Sequence, residues 1–318
     1  MKKILVTGAA GFIGFSVCKK LLDLGLEVYG LDNLNDYYDP RLKLARLEFL
    51  TKKNMPFSKI DLADTNGLKN LFNSFKPNIV INLAAQAGVR YSLEDPHAYL
   101  NSNIIGFLNI LENSKAHSIE HLIYASSSSV YGLNKVFPFS ERDTVDHPVS
   151  LYAASKKSNE LIAHTYSYLY KLPTTGLRFF TVYGPYGRPD LSIFKFCKLI
   201  LEQKKITLNN YGNHYRDFTY IDDAVTSIEK IIKLKNINKK QDKNKNFNIF
   251  NIGGGKSIKI TKLVKILENL LKKKAIIKYG PFLPGDIHTS KACPKKLKKY
   301  TNFEPNISLE EGLNKFII

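Results

Sequence analysis

Val6-Thr7-Gly8-Ala9-Ala10-Gly11-Phe12-Ile13-Gly14 joins an apolar run, Lys3–Thr7, to a helix-like stretch, Phe12–Leu24. A strand that turns through glycines into a helix makes a cradle for a pyrophosphate. Gly8 permits the tight turn, Gly11 lets backbone N–H groups approach an anion, and Gly14 lets the helix pack close to its strand. The opening helical turn, with Phe12 and Ile13, offers unpaired N–H groups and the positive end of the helix dipole to the same phosphates. The spacing is G-x-x-G-x-x-G rather than G-x-G-x-x-G, so the weight rests on context: strand before, helix after.

Outward from this turn, short apolar runs alternate with helical patterns. Strands are expected at Lys3–Thr7, Glu27–Leu31, Pro56–Lys59, Ile79–Leu83, His121–Ala125 and Thr174–Phe180. Helices are expected at Phe12–Leu24, Arg41–Leu50, Asn66–Phe75, Pro96–His117 and Leu151–Tyr170. Such alternation implies right-handed crossovers and a parallel sheet. Ile79-Val-Ile-Asn-Leu83 is nearly all apolar, as a strand covered on both faces must be. The expected class is therefore α/β, a doubly wound parallel sheet of Rossmann-like type occupying residues 1–180. Residues 181–318 read as a smaller C-terminal substrate-binding lobe, with helices near Ser192–Gln203, Ile221–Leu234 and Ile260–Lys273 and a short strand, Asn248–Ile252. Ligands of such sheets lie in the crevice at the carboxyl ends of the strands.

The second strand runs into Asp32-Asn33. A carboxylate there accepts hydrogen bonds from adenosine ribose hydroxyls and repels a 2′-phosphate, which selects NAD over NADP. Asp61-Leu62, after the third strand, is placed to meet the adenine, although Asp61 or Asp64 could equally cap the next helix. Tyr152 and Lys156 stand four apart on one helical face. A phenol is a poor base at neutral pH, and a neighbouring lysine with the positive nicotinamide would stabilise its phenolate. That phenolate could take a hydroxyl proton while hydride leaves the same carbon. Ala125-Ser126-Ser127-Ser128-Ser129 follows the fifth strand and brings hydroxyls to the same edge.

With these features the chain resembles the extended short-chain dehydrogenase family, and within it the sugar-nucleotide 4-epimerases. The resemblance extends over Asn82-Leu-Ala-Ala85, Arg216-Asp-Phe-Thr-Tyr-Ile-Asp-Asp223, Asn251-Ile-Gly253, Pro284-Gly-Asp286 and Ser308-Leu-Glu-Glu-Gly-Leu313. It implies that Ser127 assists Tyr152, that Ser129 lies in the same turn, that Leu83, Ala84 and Ala85 line the cofactor, and that Asn101 and Asn103 pack near it. Three segments are similar to the UDP-glucuronate 4-epimerase branch: Leu31–Pro40, Ala87–Ser92 and Arg178–Asp190. By that resemblance Thr181 and Arg188 lie near the sugar, where a hydroxyl and a guanidinium suit a uronate carboxylate. Arg90 is a second candidate for the carboxylate or the diphosphate, Arg216 for the diphosphate and Asp286 for the uridine ribose. The implied activity is NAD-dependent C4 epimerisation of UDP-glucuronate to UDP-galacturonate through a 4-keto sugar. UDP-N-acetylglucosamine or UDP-glucose are alternative substrates, and a silent NAD-binding regulator is the non-enzymatic alternative. Family members pair through the helices at Pro96–His117 and Leu151–Tyr170, which implies a homodimer. Leu283 stands where many relatives have glutamine or arginine before Pro-Gly-Asp, which removes one nucleotide contact. No acidic residue occurs between Ser127 and Glu141, and this disfavours the elimination chemistry of related dehydratases.

The composition narrows the partners. The formal net charge is +19, yet only seven of 47 basic residues are arginine. Nucleic-acid readers add arginine forks and stacking aromatics to a basic patch. The lysines instead crowd stretches such as Lys235–Asn246 and read as a solvated loop, so no nucleic-acid partner is expected. Cys18, Cys197 and Cys293 form neither a disulfide pattern nor a metal-ligand spacing. No metal site is expected. Met1-Lys-Lys3 leads directly into the first strand, and no apolar run approaches the roughly 20 residues that span a bilayer. The expectation is a cytoplasmic protein with no membrane partner.

Overall fold

Alternate residues along each central strand belong to two different cores. Ile4, Val6, Ile79, Ile81 and Ile123 pack on one side of the sheet, whereas Leu5, Val80, Leu122 and Tyr124 pack on the other. Since both faces are covered, the strands are apolar throughout, as in all-parallel sheets. The structure, a computed structural model, describes residues 2–234 and 246–317. All but the last residue of the expected lysine-rich loop at 235–246 lies outside the described residues.

Twelve strands are present among the described residues: β1 (Lys3–Thr7), β2 (Glu27–Asp32), β3 (Phe57–Lys59), β4 (Ile79–Asn82), β5 (His121–Ser127), β6 (Thr174–Phe179), β7 (Thr181–Tyr183), β8 (Lys205–Leu208), β9 (Tyr215–Tyr220), β10 (Phe247–Ile252), β11 (Ser257–Lys259) and β12 (Ile276–Tyr279). Seven form one sheet in the order β10-β6-β5-β4-β1-β2-β3, and every pair in it is parallel. The order reverses between β1 and β4, which opens a crevice at the carboxyl ends of those strands. Thr7 Oγ1 donates to Asn82 Oδ1 at 2.6 Å and accepts from Ala84 N at 3.1 Å, pinning the two strand ends together there.

The expected helices form close to their expected bounds. Ser150 Oγ accepts from Ala153 N at 3.1 Å to start the Leu151–Tyr170 helix, and Lys171, with φ 58°, ends it. Asp64 caps Thr65–Phe75 through Gly67 N at 2.9 Å. The single helix expected over Pro96–His117 instead comprises Pro96–Tyr99, a π-helical stretch Leu100–Ile105, and Gly106–Ala116. The wider turn aims Asn103 inward, where its amide bonds Gln86 N (2.9 Å), Gln86 O (3.0 Å) and Ser155 Oγ (2.9 Å). Satisfying three buried groups with one amide outweighs regular helical pitch.

The segment after 180 contributes two small sheets, β11-β9-β7 and β12-β8, and also returns β10 to the edge of the main sheet. Its helix Ile221–Ile232 packs on the first helix, Phe12–Asp23, within one continuous apolar cluster. β7, β8, β9, β11 and β12 are additional to the strands expected from sequence.

The glycine turn is tighter than its conformation alone requires. A Cβ on Gly14 would stand 2.0 Å from the Gly8 carbonyl oxygen, and one on Gly8 would stand 2.7 Å from Ala84 N. Gly25, by contrast, has φ +72° but open space around it. Gly25→Ala should therefore lose about 1–2 kcal/mol for left-handed backbone alone. Gly14→Ala should lose about 3 kcal/mol or more, because the helix must lift off the sheet. Urea unfolding of the two variants measures this, and equal losses would contradict the close-approach account.

Candidate active site

The crevice widens into a cleft of about 940 Å³ that runs from the glycine turn to the C-terminal lobe. One end is lined by Gly8, Gly11, Phe12, Ile13 and Gly14 from the turn, by Asp32 and Asn33 after β2, and by Asp61 and Leu62 after β3. Leu83, Ala84 and Ala85 form its floor beyond β4. The buried Asp32 carboxylate accepts from Leu34 N at 2.8 Å and lies 3.8 Å from the Lys43 ammonium. Asn33 Nδ2 donates to Asp61 Oδ2 at 2.7 Å, joining the two loops at this end. Asp61 folds its own turn through Ala63 N, so Asp64 alone caps the following helix. Asn101 is exposed and lines only a shallow neighbouring hollow with Asn33 and Asp61, whereas Ser102 reaches the main cleft.

The middle of the cleft gathers Ser127, Ser129, Tyr152 and Lys156. Ser127 Oγ accepts from Ser129 N at 3.1 Å, which fixes the short helical turn Ser128–Tyr131 at the end of β5. Lys156 is buried and donates to the Ala125 carbonyl at 2.9 Å. Loss of hydration lowers its pKa to about 8. Burial raises the Tyr152 phenol above its ordinary value, while a hydrogen bond with Ser127 and the charge of Arg188 act in the opposite direction.

Towards the lobe, Thr181, Arg188, Arg216, Arg90 and Asp286 face the same cavity. Arg188 Nε bonds Asp190 Oδ1 at 3.0 Å, and its guanidinium lies 5.7 Å from the Tyr37 ring centre. Tyr37 also donates to Asp190 at 3.3 Å. Arg90 pairs with Asp286 at 3.2 Å. Arg216 bonds only main-chain oxygens, of Tyr215 at 2.9 Å and His288 at 3.1 Å. Its pKa falls to about 10, first through burial, with Asp286 resisting and Arg90 adding to the fall. A partly exposed guanidinium with no carboxylate in hydrogen-bond reach among the described residues is suited to an anionic ligand.

The sequence pattern of the family described as GDP-mannose 4,6 dehydratase matches residues 5–316. The chain is 48% identical over 324 residues to Protein CapI of Staphylococcus aureus, covering 99% of this chain and 97% of that one. It is 46% identical to a UDP-glucuronate 4-epimerase of Thermodesulfobacterium geofontis (strain OPF15), covering 98% and 94%. A crystal structure of UDP-glucuronic acid 4-epimerase from Bacillus cereus, in complex with UDP-glucuronic acid and NAD, superposes with TM-score 0.90 at 33% identity, covering 99% and 97%. The chain belongs to the NAD-dependent sugar-nucleotide epimerases of the extended short-chain dehydrogenase family.

Several groups of this epimerase's cleft escaped the sequence reading: Asn35, Tyr37, Tyr38, Lys43, Asp190 and His214. Tyr37 and Tyr38 lie in a quoted segment, but nothing in a loop's sequence says which side chain turns inward. Lys43 sits in a helix of mixed polarity, so its face has no apolar stripe to identify it.

A buried ammonium is a standing cost to the unliganded epimerase. Because the folded Lys156 pKa is depressed, the unfolded chain binds more protons between about pH 8 and the ordinary lysine value. Stability from this group therefore rises with pH across that window, and the cost, at most about 3 kcal/mol, is full below it. Lys156→Met should gain melting temperature relative to the parent at pH 7 and lose that advantage towards pH 10. Thermal unfolding across this range checks it, and a difference independent of pH would remove the buried cation as the cause.

Proposed function

We propose that this epimerase inverts C4 of UDP-glucuronate, with UDP-galacturonate as product. The observation that carries the reading is the convergence of Tyr152, Ser127 and Lys156 with Arg188 in the one cleft that begins at the glycine turn. Its similarity to UDP-glucuronate 4-epimerases supports the sugar. The close approach of Gly8, Gly11 and Gly14, which leaves no room for side chains, fits a pyrophosphate laid against the backbone. Asp32 is suited to the adenosine ribose, with Asn33, Asp61 and Leu62 beside the base. NAD, when bound, supplies the acceptor and donor for hydride.

The chain's own residues then have separable tasks. Tyr152 takes the C4 hydroxyl proton and returns it after inversion, with Ser127 hydrogen-bonded to the same oxygen. Lys156, held by the Ala125 carbonyl, keeps positive charge beneath the nicotinamide side. Arg216 and Arg90 hold the diphosphate, and Asp286 the uridine ribose, so that UDP stays fixed while the keto sugar turns. Thr181, Ser129 and Arg188 surround the uronate. In this reading residues 1–180 hold the cofactor and 181–318 hold the sugar nucleotide together with Arg90, Ser127 and Ser129, and β10 returns from the second segment to the main sheet.

One observation favours a neutral hexose instead: Asp190 already balances Arg188. Purified protein incubated with UDP-glucuronate, UDP-glucose and UDP-N-acetylglucosamine, with products read by NMR, separates the readings. Conversion of UDP-glucuronate at the highest kcat/KM is expected. Arg188→Ala should lower that value at least tenfold more than the value for UDP-glucose, and equal losses would remove the guanidinium as carboxylate partner.

We further propose a homodimer. Leu100, Ile105, Leu108 and Leu161 are each more than 40% exposed on the two neighbouring helical segments that end at Ala116 and Tyr170, a density of apolar side chains that a second copy would cover. Light scattering at micromolar concentration should give the mass of two chains, and a single-chain mass would overturn this.

A further inference from the structure

Arg46 is fully buried, and its four hydrogen bonds all reach neutral oxygens. Nη1 donates to the Ala10 carbonyl at 2.9 Å and to the Tyr38 hydroxyl at 2.7 Å. Nη2 donates to the Tyr186 carbonyl at 2.6 Å and the Gly187 carbonyl at 3.4 Å. Nε has no partner. A desolvated cation is expensive, and replacing such a group with an apolar one often stabilises a fold. Its placement therefore calls for a reason beyond packing.

The three segments it joins supply one. Ala10 lies inside the glycine turn. Tyr38 belongs to the loop after β2, which also places Tyr37 against Asp190. Tyr186 and Gly187 immediately precede Arg188. The 184–187 turn is strained at Tyr186, a non-glycine residue at φ +57°. A non-glycine residue held in that region persists only where its surroundings over-determine it. Arg46 and a contact of the Tyr186 ring with Phe15, at 5.1 Å, do so. A planar guanidinium can hold carbonyls of two turns at a fixed separation, which a lysine's single rotating ammonium cannot.

We infer that Arg46 is a positioning residue that locks the turn bearing Arg188 to the cofactor cradle, and so sets where the sugar stands relative to the nicotinamide. The inference rests on the C4-epimerase reading. It matters most at the keto stage, when the free ring must turn and meet the cofactor again before it leaves. During oxidation, hydride passes from C4 to NAD⁺ and the hydroxyl proton passes to Tyr152. If the ketone escapes, two electrons stay behind as NADH and the proton goes to solvent. With loosened register, escape competes better with return.

The test uses Arg46→Lys, which keeps the charge and loses the fork, under saturating UDP-glucuronate. Three quantities are read: NAD retained through gel filtration, product per cofactor-loaded chain, and the near-ultraviolet absorbance of NADH. The expected result is a folded protein that retains NAD and a KM within about twofold of the parent. Its kcat should fall about tenfold or more, since misplacement of about 1 Å costs on the order of 100-fold, and NADH should accumulate over successive turnovers. A purely structural role would lower the melting temperature and leave kcat per loaded chain and NADH unchanged, and that outcome overturns the inference. Should Arg46→Lys fail to fold, Tyr38→Phe decides: it removes one acceptor, and about threefold more NADH per product is expected. An unchanged ratio overturns the inference. A parent that converts none of the three UDP-sugars would instead overturn the functional reading, and this inference with it.

Discussion

The Gly8 carbonyl occupies the space where any side chain on Gly14 would begin, and the Ala84 backbone occupies the space beside Gly8. Three stretches of main chain thus meet with nothing between them: the end of β1, the start of the first helix and the segment after β4. Because they touch, Phe15, Cys18 and Leu21 lie against Ile4 and Val6, and the helix lies flat on the sheet. The same contact turns the helix N-terminus towards the crevice and brings Leu83, Ala84 and Ala85 to its floor. Thr7 closes the arrangement by bonding both Asn82 and Ala84. Everything in the cleft is placed relative to this junction.

Around it the cleft gathers positive charge, part of it paired within the protein: Arg188 with Asp190, Arg90 with Asp286 and Lys43 with Asp32. Lys156 and Arg216 are both weakened as cations by burial, and Arg46 bonds only neutral oxygens. Arg178 offers a contrast: it is buried and forms paired bonds of 2.9 Å with Glu160. Lys156 and Arg216 have no carboxylate within hydrogen-bond reach among the described residues. Unpaired charge of this kind carries an electrostatic cost that anionic ligands relieve on binding.

Features that repeat locally were legible in the sequence. The continuous apolar runs of β1, β4 and β5, the glycine spacing, and the pairing of Tyr152 with Lys156 on one helical face need no knowledge of distant residues. The misread features depend on partners far along the chain. The π-helical turn at Leu100–Ile105 interrupts the helix expected over Pro96–His117, and the groups it serves through Asn103 are Gln86 and Ser155. β12 is exposed along its whole length and forms because β8 lies beside it, so no amphipathic pattern announces it. Arg46 sits in a helix whose other positions are polar and apolar without order, and only its three distant acceptors explain it.

The placement of β10 has a consequence for synthesis. A ribosome that has released residues 1–180 has made six of the seven strands of the main sheet, with β6 at an unpaired edge. Leu177 and Phe179 lie on that edge, and their neighbours Phe250 and Ile252 are not translated until much later. Open strand edges are templates for association with other chains, and closing one with so distant a segment is slow. Through that interval the β6 edge of the nascent polypeptide lacks the partner that β10 later supplies.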